Sequence, residues 1–81
     1  LLARRQYRRA VRALRQALAL EPARETFHQQ LMRAYALSGE RSQALAQYDV
    51  CKAALREELD TVPSYETRDL WDRIKIEASL G

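Results

Sequence analysis

One cysteine, one histidine, two glycines and two prolines are all that this 81-residue chain holds of those four residue types. A single cysteine, Cys51, excludes an internal disulfide and cannot assemble a cysteine-based zinc site, so a reducing, cytoplasmic setting with no metal and no cofactor is expected. Strand formers are equally scarce: Val11, Val50, Val62, Ile74 and Ile76 are the β-branched aliphatics, which leaves little to build a sheet. No apolar run approaches the roughly 20 residues needed to cross a bilayer. The N-terminus is arginine-rich, without a long apolar core or cleavage pattern, so no membrane partner is expected. What remains is 47% hydrophobic and 31% charged, dominated by alanine, leucine, arginine, glutamate and glutamine. That is the composition of a soluble helical domain rather than of a disordered chain.

The net charge of +3 conceals an asymmetry. Residues 1–20 carry Arg4, Arg5, Arg8, Arg9, Arg12 and Arg15 and no acid, a charge of +6, so residues 21–81 sum to −3, eight bases against eleven acids.

The internal helix breakers Pro22, Gly39 and Pro63 divide the chain into four stretches of helical length. In the first, Tyr7, Ala10, Val11, Leu14, Ala17 and Leu18 recur at the spacing of one helix face, with arginines on most of the rest. A second helix is predicted to restart with Pro22 in its first turn, beside Glu21 at the positive end of the macrodipole, and to run to about Ser38. Its inward face is Phe27, His28, Leu31, Met32 and Tyr35, and Gly39 sits where the chain leaving a helix needs positive φ. The third runs from about Glu40 to about Leu59 and carries Ala44, Leu45, Tyr48, Cys51 and Leu55 on one side. Ala46, Val50, Ala53 and Ala54 lie round much of the other, a pattern expected of a helix sandwiched between neighbours. In the fourth, Ser64 is the expected N-cap, Glu66 lies in the first turn, and Tyr65, Leu70, Trp71, Ile74 and Ala78 form the face.

A faint internal repeat underlies these helices. Shifting the chain by 34 residues lays Ala10 on Ala44, Val11 on Leu45, Leu14 on Tyr48, Ala17 on Cys51 and Ala19 on Ala53, pairs that agree in size or polarity class. The pattern resembles a tetratricopeptide repeat, with Leu31, Tyr35, Gly39, Ala44, Tyr48 and Cys51 at its large, aromatic, turn and small positions. The resemblance implies an all-α fold of antiparallel helical hairpins, about four helices in a right-handed superhelical stack, with residues 1–81 forming one domain. His28 departs from it, since a large aromatic is usual there, and the third helix overruns the repeat before Pro63.

The run from Glu21 to Ile74 resembles something narrower, the bacterial transcriptional activator domain of SARP-type regulators. The resemblance rests on Glu21, Pro22, Arg24, Glu25, His28, Leu31, Met32, Ala34, Gly39, Ala44, Leu45, Tyr48, Glu57, Glu58, Leu59, Pro63, Ser64, Glu66, Thr67 and Leu70. Two positions depart: Asp60 stands where glycine usually follows the EEL motif, and Tyr65 stands where proline often follows the serine. Aspartate tolerates positive φ better than most residues, so the turn can survive. The resemblance implies a segment of a larger multidomain regulator, behind a winged-helix DNA-binding domain and sometimes ahead of an ATPase region. DNA would then be bound by a separate domain.

His28 and Cys51 are the residue types from which a base, a ligand or a nucleophile is drawn. Both fall on packed helix faces, so both are read as structural. Lys52 points about 100° away from Cys51 around the helix. Glu57 and Glu58 end a helix where acids are unfavourable, which calls either for arginine partners, with Arg24 and Arg56 as candidates, or for a role on another surface. Arg4, Arg8, Arg12 and Arg15 form one stripe, suited to solvent and ion pairs, to a protein partner or to phosphates. There is no aromatic interleaving, phosphate loop or zinc pattern beside it.

The expected function is therefore recognition of a protein partner, in self-association or by docking another domain, and not catalysis. Arg4, Arg8, Arg12, Arg15, Val11, Tyr35, Trp71 and Ile74 are the candidate interface residues. An apolar face left open on the first helix, and a patch of Trp71, Ile74 and Ile76 on the last, would carry it. A tetratricopeptide scaffold outside transcription is the alternative, and direct DNA contact by the arginine helix a weaker one.

Overall fold

A computed structural model describes residues 4–80 of the chain, and the side chains of residues 5–77. Four helices follow one another: α1 (Arg4–Leu20), α2 (Glu25–Leu37), α3 (Arg41–Leu59) and α4 (Tyr65–Leu80). Among the described residues there is no strand. The all-α, tetratricopeptide-like hairpin architecture expected from the repeat is what the chain adopts.

The junctions follow from residue chemistry. At Gly39, φ is +86°, and the Gly39 and Glu40 amides donate back to the Ala36 and Tyr35 carbonyls at 3.2 and 2.8 Å. These two bonds occupy carbonyls that the end of α2 would otherwise leave unpaired. Asp60 plays the same part after α3 with φ of 50°, so a non-glycine residue does make the left-handed turn. Ser64 caps α4, its Oγ accepting from the Thr67 amide at 3.5 Å.

Pro22 differs from the expectation. It lies in a turn ahead of α2, which starts at Glu25, because the Arg24 amide bonds the Glu21 carbonyl at 3.1 Å and closes a separate turn first. Outside the helix, the Pro22 carbonyl is free to accept from a side chain, and it does.

The core lies between α2, α3 and α4. Leu31, Met32 and Ala44 are fully buried, and Tyr35, Tyr48, Cys51, Leu55 and Ile74 nearly so. Burying a leucine or methionine of this kind contributes about 1.5–3 kcal/mol. Tyr48 stacks on Trp71 with centroids 4.7 Å apart, closing the α3–α4 seam, and Lys75 Nζ lies 4.1 Å from the Trp71 ring centroid on α4. Around this core α2 packs on α1, α3 and α4, whereas among the described residues the α1 backbone comes close to α2 only.

Three packing expectations are corrected. The outer side of α3 is not sandwiched, for Ala46, Val50 and Ala53 are exposed and, among the described residues, no further helix lies over them. Ile74 and Ile76 do not share a patch. Two residues on a helix are about 200° apart, which puts Ile74 in the core and leaves Ile76 outside with Tyr65. Phe27 is only half-buried and Ala10 is exposed, while the side chain of Ala78 lies outside the described residues.

Candidate functional site

The arginine stripe of α1 borders an open groove. Arg8, Arg12, Arg15, Gln16 and Ala19 form one wall, with Tyr7 and Val11 at its apolar edge. Ser38, Glu40 and Gln43, from the turn and the start of α3, form the other wall, and Tyr35 of α2 is the floor. The volume is about 730 Å³. The groove lies where α1 and α3 both lean on α2 with their backbones held apart. No described residue of α1 is fully buried: Tyr7, Val11, Leu14, Ala17 and Leu18 are all half-exposed.

One guanidinium is fixed in place. Arg15 donates from Nε and Nη2 to the hydroxyl oxygen of Tyr35, at 3.1 and 2.8 Å. The buried tyrosine thus holds a cation at the groove floor, and Ser38 Oγ donates to the Tyr35 carbonyl at 3.0 Å just beyond it. Arg8 and Arg12 are exposed.

Five of the eight candidate interface residues therefore meet at one place: Arg8, Val11, Arg12, Arg15 and Tyr35. The Arg4 side chain lies outside the described residues. Trp71 is half-buried against Tyr48, and Ile74 is core, so neither belongs to the groove. Glu40 and Gln43, on the opposite wall, could not be found from sequence. Their placement depends on the angle of the hairpin at Gly39, and no residue type encodes that by itself.

The residues with catalytic or ligating chemistry are occupied. His28 Nε2 donates to the Pro22 carbonyl at 2.7 Å and Nδ1 accepts from Gln47 Nε2 at 2.8 Å, leaving neither nitrogen for a metal or a substrate proton. Gln47 is a polar residue on the buried face that runs Ala44, Tyr48, Cys51, and that was the available signal for a partner to His28. Burial pushes the Cys51 thiol up to about 12, with Glu25 adding to it. A thiol so protonated is a poor nucleophile. Among the described residues no group of histidine, cysteine and carboxylate side chains is arranged to hold a metal.

A carboxylate ties α2 to α4. Glu25 Oε2 accepts from the Ser64 amide at 2.7 Å, from Ser64 Oγ at 2.6 Å and from the Thr67 hydroxyl. Thr67, fully buried, also accepts from Gln29 Nε2 at 2.7 Å. Burial pushes the Glu25 carboxyl up, but the bonds from Ser64 and Thr67 outweigh it and hold it below its ordinary value. The negative charge sits at the positive end of α4, the favourable end of the dipole. Arg24 and Arg56 do not serve Glu57 and Glu58: Arg24 pairs with Glu21 at 3.4 Å and Arg56 with Asp60 at 3.6 Å.

The positions fixed by these contacts, Glu25, His28, Tyr35, Tyr48, Ser64 and Thr67, are spread over most of the chain. The sequence matches the profile described as "Bacterial transcriptional activator domain" over residues 1–75. The chain belongs to the bacterial transcriptional activator domain family. No significant match is found among curated proteins or among solved structures. Membership in this family, a domain of SARP-type bacterial transcriptional activators, places the chain with transcriptional regulators, against a scaffold unrelated to transcription. This is a family of regulatory domains and not one of enzymes. Among the described residues no helix is long and apolar enough to cross a membrane.

Proposed function

We propose that this bacterial transcriptional activator domain is a protein-interaction module of a cytoplasmic transcriptional regulator, and that it works by docking a protein on the α1 side without catalysing a reaction. The observation that carries the reading is the open groove in which Arg8, Val11, Arg12, Arg15 and Tyr35 converge. It combines an apolar edge, an aromatic floor and charged walls, the mixture typical of protein recognition sites. The occupied nitrogens of His28 and the protonated Cys51 thiol support recognition over chemistry. DNA is left to a separate domain of the regulator.

The test is transcription activated by the regulator that carries this domain, with Arg8 and Arg12 both changed to glutamate and promoter occupancy measured in parallel. Both side chains are exposed, so the fold tolerates the change. Activation should fall while occupancy holds. A parallel loss of occupancy would assign the stripe to DNA, and no change in either would remove it from function.

A further inference from the structure

Resting on the interaction reading above, we propose that the occupant of the α1 groove is an acidic amphipathic helix of a partner protein. It would lay an apolar stripe along Tyr7 and Val11 and present carboxylates to Arg8 and Arg12.

The shape calls for a rod. The groove runs along α1 from Tyr7 to Ala19, about three turns at 1.5 Å per residue, between two helices whose backbones stand apart. A helix nesting in an apolar groove between helices is an established recognition mode, and its side chains meet the groove at i, i+3, i+4 and i+7. Tyr7 and Val11 stand four apart on the receiving wall, the same repeat.

The charge selects the partner. Three arginines line the α1 wall and Glu40 stands on the opposite one. Arg15 is committed to the Tyr35 hydroxyl, which leaves Arg8 and Arg12, one turn apart, to face carboxylates spaced i, i+4 on the incoming helix. Glu40 repels a ligand of uniform negative charge but accepts a helix that is acidic along one side and neutral or basic along the other. A nucleic acid backbone would place phosphates against that glutamate as well as against the arginines. The apolar edge of Tyr7 and Val11 would also be wasted on it.

The probe is a fluorescently labelled peptide of about 18 residues, long enough to hold a helix, with leucine at i, i+4 and i+7 and glutamate on the flanking positions. A second peptide keeps the leucines and replaces glutamate with lysine, and a short DNA duplex is the third probe. Anisotropy titrations of the full 81-residue chain should show binding of the acidic peptide that weakens with salt. Loss should be at least about tenfold for Arg8→Glu with Arg12→Glu, since like charges then face each other. Val11→Asp should weaken it separately through the apolar edge, and circular dichroism reports whether each variant stays folded.

Equal binding of the lysine peptide, or binding insensitive to the arginine reversals, overturns the acidic occupant. Duplex DNA competing for Arg8 and Arg12 overturns it in favour of nucleic acid. Failure of the acidic peptide to bind overturns it too, as does a concentration-dependent dimer by light scattering that the arginine reversals abolish, which would make a second copy the occupant. If the peptide fails while activation still depends on Arg8 and Arg12, the interaction module stands with a different occupant.

Discussion

The two sides of α2 are held by different means. Toward α3 and α4 it presents His28, Leu31 and Met32, each all but excluded from solvent, with the buried polar groups met by Gln47 and by the Glu25–Ser64–Thr67 cluster. Toward α1 the contact is made by half-exposed side chains, Val11, Leu14 and Leu18 among them, and by the Arg15 tie to Tyr35. The first seam is closed; the second is open along the groove. A helix on a closed seam unfolds with the domain, whereas a helix on an open one can loosen by itself, and loosening is compatible with accepting a partner.

Breaking each seam at a leucine should give the largest contrast. Leu31→Ala leaves a cavity in the closed core and is expected to cost about 2–5 kcal/mol. Leu14→Ala removes a half-exposed side chain and should cost about 1–2 kcal/mol. Urea unfolding followed by circular dichroism measures both. Equal losses would mean that α1 is as much part of the core as α3.

The next test loads the polar lock. Glu25→Gln keeps the size of the side chain and removes its charge, and should lower stability by about 1–3 kcal/mol at neutral pH. The sign of the pH effect follows from the lowered Glu25 pKa. A carboxyl whose pKa is depressed by folding contributes stability that is fully present above its unfolded value and is lost as pH falls through the folded one. The native chain should therefore weaken in acid, below the ordinary glutamate range, and Glu25→Gln should show less of that weakening. Parallel acid profiles for the two proteins would mean that Glu25 is not the group being protonated.

Thiol labelling follows the seams in time. Cys51 is buried, with its thiol pushed up to about 12, so a thiol-specific reagent near pH 8 should modify it only as fast as the domain opens globally. In a Cys51→Ser background, a cysteine placed by Leu14→Cys reports the α1 seam instead. It should label faster than Cys51 does in the native chain, at a rate that changes less with added denaturant. Identical rates and denaturant slopes would mean that all four helices open together.

Much of this contrast was legible in the residues. The periodicity of α2 and α3, with Gly39 and Ser64 at their chain positions, defined the helices and nearly the whole core, because period, positive φ and capping are local properties. The arginine stripe was visible for the same reason. The groove beside it was not, since it arises from how far apart the α1 and α3 backbones stand on α2. The polar lock was hidden likewise: Glu25 and Ser64 are 39 positions apart, and pairing across that separation is set by how α4 returns against α2. The exposed outer face of α3 misled because small residues such as Ala46 and Ala53 satisfy a helix surface as readily as a packed one. Their presence favours helix formation whether or not a neighbour covers them.

The smallest expected effect concerns the Arg15–Tyr35 tie across the open seam. Tyr35 lies almost wholly out of solvent, and its hydroxyl receives both the Nε and Nη2 of Arg15 at 3.1 and 2.8 Å. Tyr35→Phe keeps the ring in the core and deletes only the acceptor, leaving a mobile guanidinium that water can solvate. The cost to global stability should be about 0.5–1.5 kcal/mol. Its local effect should be more selective: amides of α1 around Arg15 should exchange faster, while those of α3 around Cys51 keep the protection set by the core. Hydrogen exchange resolves the two. If α3 loosened as much as α1, the tie would be part of the central packing and the two sides of α2 would not be energetically distinct. Confined loosening would instead make the Tyr35 hydroxyl a latch on α1, separate from the arginines that face an incoming helix.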